Sequence, residues 1–276
     1  LEEALKLINQ IYSIGADGLI IQDVGLLELN LPPIPLIAST QMNNDSLEKI
    51  LFLQNIGFKR VILPRELTLS QIKEIKTKTS IELECFVHGS LCTSYSGQCY
   101  LSYCIGGRSA NRGACAQPCR HSYSLLDENG KILAKDKRLL SLKDLNRADH
   151  LKELIHAGIT SFKIEGRLKD ISYVTNITSF YRKKLDELMD GKNTSKSSSG
   201  QTTFDFTPNP YKTFNRGYTD YGLGSDPANA GFRHIKHQGA QNMASLYTAK
   251  SLGEEIGSVE KIENDYFFLS SKHYQS

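Results

Sequence analysis

The chain has 276 residues, of which 39% are hydrophobic and 23% charged, and its formal net charge is +3. These values exclude a collagen-like or disordered chain, and no apolar run is long enough for a transmembrane helix. No signal peptide is visible, so we expect a cytoplasmic protein with no membrane partner. The small positive charge permits an anionic partner without requiring one. The chain begins at Leu1, inside a helical pattern, which predicts a segment of a longer protein.

Strand and helix patterns alternate along most of the chain. The predicted strands are short apolar runs at residues 18–22, 35–40, 60–63, 81–87 and 161–164. The predicted helices carry one apolar face and lie at residues 5–14, 47–53, 70–75, 143–157 and 170–189. Asn44 or Asp45 is predicted to cap the second helix, and Gly15, Gly57 and Gly158 to end the first, second and fourth.

This alternation indicates parallel βαβ units and therefore an α/β fold. Five strands fit either an open doubly wound sheet or part of a closed barrel. The abrupt start favours the barrel, so we expect a TIM-like (β/α) barrel that lacks its first strands in this chain.

Composition divides the chain into three parts. Residues 1–191 are predicted to form the partial barrel with a cysteine-rich loop, and the polar, serine-rich residues 192–203 a linker. Residues 204–276 are predicted to form a small β-rich domain, which we expect to be incomplete at its end. Alternation from Gly253 to Ser270 is typical of short antiparallel strands. The aromatic run Tyr266–Phe268 fits a core better than a base-stacking platform.

All six cysteines lie between residues 85 and 119. Clustering in one segment of a larger chain argues against a disulfide framework and favours a metal or iron-sulfur site. The spacing C-x6-C-x15-C-x3-C, from Cys92, Cys99, Cys115 and Cys119, supplies four thiolate ligands from one loop and differs from a zinc ribbon. The alternative is a set of reduced thiols packed as small hydrophobes, which is the better interpretation for Cys85, and Cys104 is predicted to be a structural or a spare thiol.

Polar residues follow the predicted strands, at the edge where α/β barrels place their chemistry. His88 is a candidate general acid or base, or a histidine that fixes the loop. Arg167 can hold a carboxylate or phosphate, or pair with Glu165 to stabilise the loop, and Arg65 with Glu66 has the same two interpretations. Further candidates are Gln41 and Asn43, which could orient a substrate, and three arginines around the cysteines that suit an anion or an anionic cluster: Arg108, Arg112 and Arg120.

Several motifs together resemble the U32 peptidase family, also called collagenase-like peptidases. The central ones are FVHGSLC at 86–92, SGQC at 96–99, GRSANRG at 107–113, PCR at 118–120 and KIEGR at 163–167. The same family pattern fits ASTQMN at 38–43, PREL at 64–67 and FNRGY at 214–218.

The resemblance implies a TIM-like barrel followed by a small β domain. It also implies hydroxylation of an RNA nucleobase, in transfer RNA at the wobble uridine or in 23S ribosomal RNA. Prephenate would then supply the hydroxyl group, and a 4Fe–4S iron-sulfur cluster would be bound. Relatives often carry a cysteine after a lysine-aspartate-leucine motif, where this chain has Asn146. The family ligand set is therefore Cys92, Cys99 and Cys115, with Cys119 the nearest candidate for the fourth position.

Two other functions remain open at this stage. The first is a peptidase that uses a cysteine or a metal, although no serine-protease order or HExxH motif is present. The second is a non-catalytic accessory protein that binds a cluster or a partner.

Overall fold

The computed structural model of the chain describes residues 1–189, 203–223, 243–253 and 256–271. In chain order, its strands are β1 Leu19–Ile21, β2 Leu36–Ala38, β3 Arg60–Ile62, β4 Glu82–Gly89, β5 Tyr123–Leu126, β6 Ile132–Lys137, β7 Asp144–Asn146, β8 Ile159–Ile164, β9 Tyr218–Thr219, β10 Ser258–Glu263 and β11 Tyr266–Ser270. Its α-helices are α1 Glu2–Ser13, α2 Leu47–Asn55, α3 Leu69–Lys78, α4 Leu101–Gly106, α5 Leu151–His156 and α6 Ile171–Met189.

Five strands form a parallel sheet in the order β1-β2-β3-β4-β8. The carboxyl end of β4 also pairs with β7, which is antiparallel to it, and β7 pairs in turn with β9. The α/β fold with parallel strands is therefore confirmed. Because parallel strands end at one edge, the loops that follow β2, β3, β4 and β8 meet there.

The core lies between the sheet and its helices. Val61, Leu83 and Val87 of the sheet are fully buried. Tyr173, Ile177 and Tyr181 of α6 are buried at four-residue spacing, as expected for one face of a helix. Cys85 lies in this core, and its burial raises the pKa of its thiol to about 12, which confirms the prediction that it is structural.

Caps explain where two of the helices begin. α3 starts with a capping box in which the Thr68 side chain and Gln71 bind each other's backbone N–H groups. α2 is capped by Ser46, so the prediction of Asn44 or Asp45 was wrong. Asn44 is instead buried, and its amide donates to the carbonyls of Ser39 and Ile62, tying the ends of β2 and β3 together.

The helix predicted over 143–157 was also wrong in its first part. Residues 144–146 form β7, and the α-helix begins only at Leu151. His88 pairs with Asn146 in the ladder, and Asp144 pairs with Tyr218. These partners lie far away along the chain, so the local helical pattern is overridden by tertiary pairing.

Three other regions bear on the predicted division. The linker predicted at 192–203 falls almost wholly outside the described residues. The antiparallel strands predicted between Gly253 and Ser270 are confirmed as the β10–β11 hairpin. Residues 204–223 were assigned to the second domain. In the structure, β9 belongs to the main sheet and Leu223 to the core of that sheet. The division of the chain into a barrel, a linker and a second domain stays a prediction. No helix within the described ranges has the length and apolar character needed to cross a bilayer.

Candidate functional site

The cysteine segment, residues 90–120, leaves the carboxyl end of β4 and returns over the same edge. Cys92 follows β4, Cys99 precedes α4, and Cys115 and Cys119 lie on the return. All four thiols are unpaired by disulfides. Burial raises the pKa of Cys119, and the neighbouring charges of Cys92, Cys115 and Cys99 raise it further while Arg120 opposes them. The structure thus brings the four predicted ligands into one neighbourhood.

Backbone groups of the segment contact its sulfur atoms and their surroundings. The Gln117 N–H donates to the Cys115 Sγ at 3.3 Å, a type of contact that stabilises a thiolate. The Asn111 side-chain oxygen accepts from the Cys99 N–H at 3.0 Å and so fixes the start of α4. Cys104 is exposed on α4 and takes no part in this arrangement.

A single metal ion and an iron-sulfur cluster need different arrangements of the four cysteines. No group of three or more His, Cys, Asp or Glu side chains in the described parts of the chain is arranged around one ion. A 4Fe–4S cluster makes a different demand, because its four cysteines bind different iron atoms. Four neighbouring thiols with an N–H···S contact fit the cluster by their chemistry, although the cluster itself stays a prediction.

Arg65 and Glu66, which follow β3, hold the cysteine segment. The Arg65 Nη2 donates to the carbonyls of Cys92 and Ser94 at 2.9 and 2.5 Å. The Glu66 carboxylate accepts from the Ser96 N–H at 2.8 Å and from its hydroxyl at 3.0 Å. Their side chains are each 12% exposed and lie 3.7 Å apart as an ion pair. Both were predicted to bind substrate, and the structure places them against the loop.

Other strand ends contact the same segment. The Arg167 Nη2, after β8, donates to the Gly113 carbonyl at 3.1 Å. Gly97 has a φ of +74° and lies against the Gln41 carbonyl so closely that a Cβ would overlap it, which explains the glycine. Within the segment, Arg108 donates to the carbonyls of Ala114 and Cys115 at 3.0 and 3.4 Å.

His88 lies in an enclosed aromatic environment at the end of β4. It is 1% exposed, and its ring lies 5.2, 5.5 and 6.1 Å from the rings of Tyr218, Tyr181 and Tyr173. Nδ1 lies 3.3 Å from the Tyr181 hydroxyl, whereas Nε2 is buried with no partner. Burial lowers the pKa of His88 to about 4, and the nearby Asp144 opposes this. The imidazole is therefore neutral at physiological pH.

Glu165 and Arg167 do not form a side-chain ion pair in the described structure. The Glu165 carboxylate accepts from the Arg167 backbone N–H at 2.8 Å, and the Glu165 carbonyl accepts from the Tyr173 hydroxyl at 3.0 Å. Gly89 approaches the Glu165 backbone so closely that any side chain would clash there. Glu165 is thus fixed at the strand edge, beside the end of β4.

The turn after β2 contains polar atoms whose bonding capacity is unused. The side-chain oxygens of Thr40, Gln41 and Asn43 are buried with no partner. Asn43 takes a left-handed backbone at φ +54°, and its amide nitrogen donates to Asp45. A buried unsatisfied oxygen costs about 1–3 kcal/mol, so such a group often marks a place where a ligand binds.

A buried ion pair was missed by sequence reasoning. The Arg216 guanidinium donates to Asp144 at 2.7 Å and to the Ser90 hydroxyl at 2.7 Å, and Arg216 and Asp144 are almost fully buried. The Lys169 ammonium lies 3.3 Å from the centre of the Phe214 ring. Burial is the main cause that lowers the pKa of Lys169. Asp144 lies in the lysine-aspartate-leucine motif, Lys169 follows KIEGR, and Arg216 lies in FNRGY. The sequence shows these motifs, but it does not show the contacts that their side chains make.

Asn146, at the position where relatives often have a cysteine, lies beside His88 in the β4–β7 ladder. Its side-chain oxygen accepts from the Ala148 N–H at 3.1 Å and from the Tyr181 hydroxyl at 3.2 Å. The carboxamide therefore connects β7, α6 and the environment of His88.

Comparison with known proteins shows the family. The profile of peptidase family U32 matches residues 1–231, so the chain belongs to this family.

Three curated relatives are informative. The chain is 44% identical over 267 residues to the 23S rRNA 5-hydroxycytidine C2501 synthase of Escherichia coli, covering 96% of this chain and 39% of that protein. It is 37% identical to the uncharacterized protease MJ0090 of Methanocaldococcus jannaschii (95% and 63%) and 36% identical to the tRNA hydroxylation protein P1 of Bacillus subtilis (67% and 46%). The chain thus spans between about two fifths and two thirds of these relatives.

Proposed function

We propose that this chain is the U32 part of an enzyme that hydroxylates a nucleobase in ribosomal or transfer RNA. The observation that carries the proposal is the 44% identity with an rRNA hydroxycytidine synthase over nearly the whole chain. A second relative acts in tRNA hydroxylation by its name. The four cysteines at the sheet edge give this family member a place for the chemistry.

The architecture we propose for the complete protein is a TIM-like (β/α) barrel. Five parallel strands in the order β1-β2-β3-β4-β8, with helices between them, support this proposal. In such barrels the substrate binds where the strands end at their carboxyl side, which is where the cysteine segment lies.

The group we propose at the cysteine segment is a 4Fe–4S cluster held by Cys92, Cys99, Cys115 and Cys119. Such a cluster would supply electron-transfer chemistry at the carboxyl ends of the strands. The residues around it have separate tasks: Arg65 and Glu66 hold the segment on the sheet, and the Gln117 N–H stabilises the Cys115 sulfur. The charges of Cys92, Cys115 and Cys99 raise the pKa of Cys119, and this proximity supports the ligand set.

For the co-substrate we propose a small dicarboxylic acid, prephenate, at the same edge. The unpartnered oxygens of Gln41 and Asn43 suit its hydroxyl group, and Arg167 and Arg108 supply positive charge for its carboxylates. His88 contributes a neutral imidazole, because its pKa of about 4 leaves the ring without the second proton at neutral pH. In this role the ring accepts or donates a hydrogen bond and carries no charge.

A thiol peptidase is the competing function, since one relative is named a protease. Such an enzyme needs a cysteine activated by a nearby base. In the described residues the contacts of the His88 ring are with Tyr181, Tyr173 and Tyr218, and none is with a thiol. The geometry therefore argues against a peptidase that uses His88 to activate a cysteine.

The proposed function predicts a missing nucleoside in cells that lack the gene. Mass spectrometry of digested ribosomal and transfer RNA from a deletion strain should show loss of one hydroxylated pyrimidine. The full-length gene restores it, the Cys99→Ser variant does not, and the matched Cys104→Ser variant does. An unchanged nucleoside profile would contradict the proposal, and restoration by Cys99→Ser would contradict the part of the four-cysteine set in the reaction.

A further inference from the structure

The cysteine segment carries no acidic side chain of its own. Residues 85–126 contain no Asp or Glu, whereas the same stretch includes Arg108, Arg112 and Arg120. Charged residues make up 23% of the whole chain with both signs nearly balanced, so an acid-free stretch of this length is unusual for the molecule. A surface of this kind attracts an anionic partner.

Aromatic side chains project from the same surface. Tyr95, Tyr100 and Tyr103 are 48%, 61% and 60% exposed, and only Ser102 of α4 is buried. A Cβ built at Gly106, Gly107 or Gly113 would meet no atom within 4 Å. In the described part of the protein, then, nothing covers this side of α4.

Three arginines belong to the turns after α4 or contact them: Arg108 and Arg112 follow α4 in the chain, and the Arg167 guanidinium donates to the Gly113 carbonyl. Arg108, Arg112 and Arg167 are exposed, and none of them forms a side-chain ion pair with a carboxylate among the described residues. Arg108 and Arg167 use part of their N–H groups on backbone carbonyls of the segment, so their positive charge is not neutralised. The arrangement combines flat aromatic faces with uncompensated cations.

We infer that the face made by Tyr95, Tyr100, Tyr103 and Arg112 binds single-stranded RNA. Tyrosine faces stack on any base, and Arg112 contacts the phosphates. Arg108 and Arg167, which the proposed function assigns to the co-substrate, add positive charge beside this face. Tyr100 directly follows Cys99, so an RNA strand on this face passes beside the cysteines. A polyanion fits this face better than a protein partner does, because residues 85–126 contain arginines and no Asp or Glu. The inference rests on the proposed function and adds which surface receives the RNA.

Binding of a fluorescein-labelled, cytidine- and uridine-containing 12-nucleotide RNA to the full-length protein tests the inference. Tyr100→Leu and Tyr103→Leu should each weaken the anisotropy-measured Kd about tenfold, because each removes one stacked base. Arg112→Gln should lower the slope of log Kd against log salt by about one. Tyr12→Leu is the matched control, since Tyr12 is a 44% exposed tyrosine on α1, and it should leave Kd within about twofold.

Two outcomes overturn the inference. One is an unchanged Kd for the double variant Tyr100→Leu/Tyr103→Leu that retains the wild-type thermal midpoint and number of reactive thiols. The other is an equal loss of affinity in Tyr12→Leu. The nucleoside profile distinguishes failure of this inference from failure of the proposed function. If the wild-type protein hydroxylates RNA while the double variant binds RNA normally, only the assignment of the RNA-binding face is wrong. If no nucleoside depends on the gene, the proposed function fails whatever the affinity.

Discussion

Burial determines the protonation state of His88. Asp144 would favour the charged imidazolium, but the loss of water around a ring that is 1% exposed outweighs this attraction. Tyr181, Tyr173 and Tyr218 surround the ring and provide no full charge. The pKas of these three tyrosines are themselves raised by burial, so their hydroxyls stay protonated, and they donate to the carbonyls of Glu165, Val87 and Pro210.

The low pKa of His88 predicts that the protein loses stability as the pH falls from about 6.5 to 4. In this window the unfolded chain protonates His88 and the folded protein does not, so unfolding takes up a proton. Urea unfolding at pH 7 and pH 5 should show that the wild type loses about 2 kcal/mol more than His88→Gln. An equal loss in both proteins would contradict the assignment, as would an NMR titration of His88 with a midpoint near 6.5.

Residue roles were harder to predict from sequence than residue positions. Arg65, Glu66, Glu165 and Arg167 were correctly expected directly after strands. The partners of Arg65 and Glu66 include Cys92 and Ser96, which lie 27 and 30 residues further along. No local pattern reports such contacts, because they depend on how the cysteine segment folds back over the sheet.

At the scale of elements, the cysteine segment is held from several strand ends at once. Residues after β2, β3 and β8 contact it through Gln41, the Arg65–Glu66 pair and Arg167. Arg120, which is buried, closes it by donating to the Leu91 carbonyl at 2.6 Å. Loops that carry ligands need such supports, because a rigid scaffold fixes the positions of the thiols.

Loss of one support should therefore loosen the segment. Glu66→Ala removes the acceptor of the Ser96 N–H and hydroxyl, and we expect Cys92 and Cys99 to react with a thiol reagent about tenfold faster. Mass spectrometry of the labelled peptides gives the rates. Glu74→Ala is the matched control, because Glu74 is an exposed carboxylate on α3 that pairs with the exposed Lys78. Equal rates in the wild type and Glu66→Ala would show that Glu66 does not hold the segment.

Elements differed in how well their sequence predicted them. β1 to β4 and β8 were found because each is a short apolar run between turn residues, and α6 because its apolar face is long. β7 has a single apolar residue, Leu145, between Asp144 and Asn146, so it is no apolar run, and its partners β4 and β9 come from distant parts of the chain. Its residues therefore looked helical until the sheet was known.

At the scale of the whole molecule, the sheet edge joins groups that are scattered along the sequence. The buried pair of Asp144 and Arg216 links β7 to the segment before β9, and the Ser90 hydroxyl joins it to the start of the cysteine segment. Breaking a buried pair of this kind typically costs about 3–5 kcal/mol. The α/β class and the family motifs were predictable from sequence, whereas this long-range pairing was not.

The cluster at this edge is the claim on which the proposed chemistry depends. Iron and acid-labile sulfide should be measured in the full-length protein purified without oxygen, beside its Cys99→Ser and Cys104→Ser variants. We predict about four iron and four sulfide per chain in the wild type and in Cys104→Ser, and a large loss of both in Cys99→Ser. A wild-type protein that binds no iron after reconstitution, or a Cys99→Ser variant with full iron and sulfide, would contradict the account.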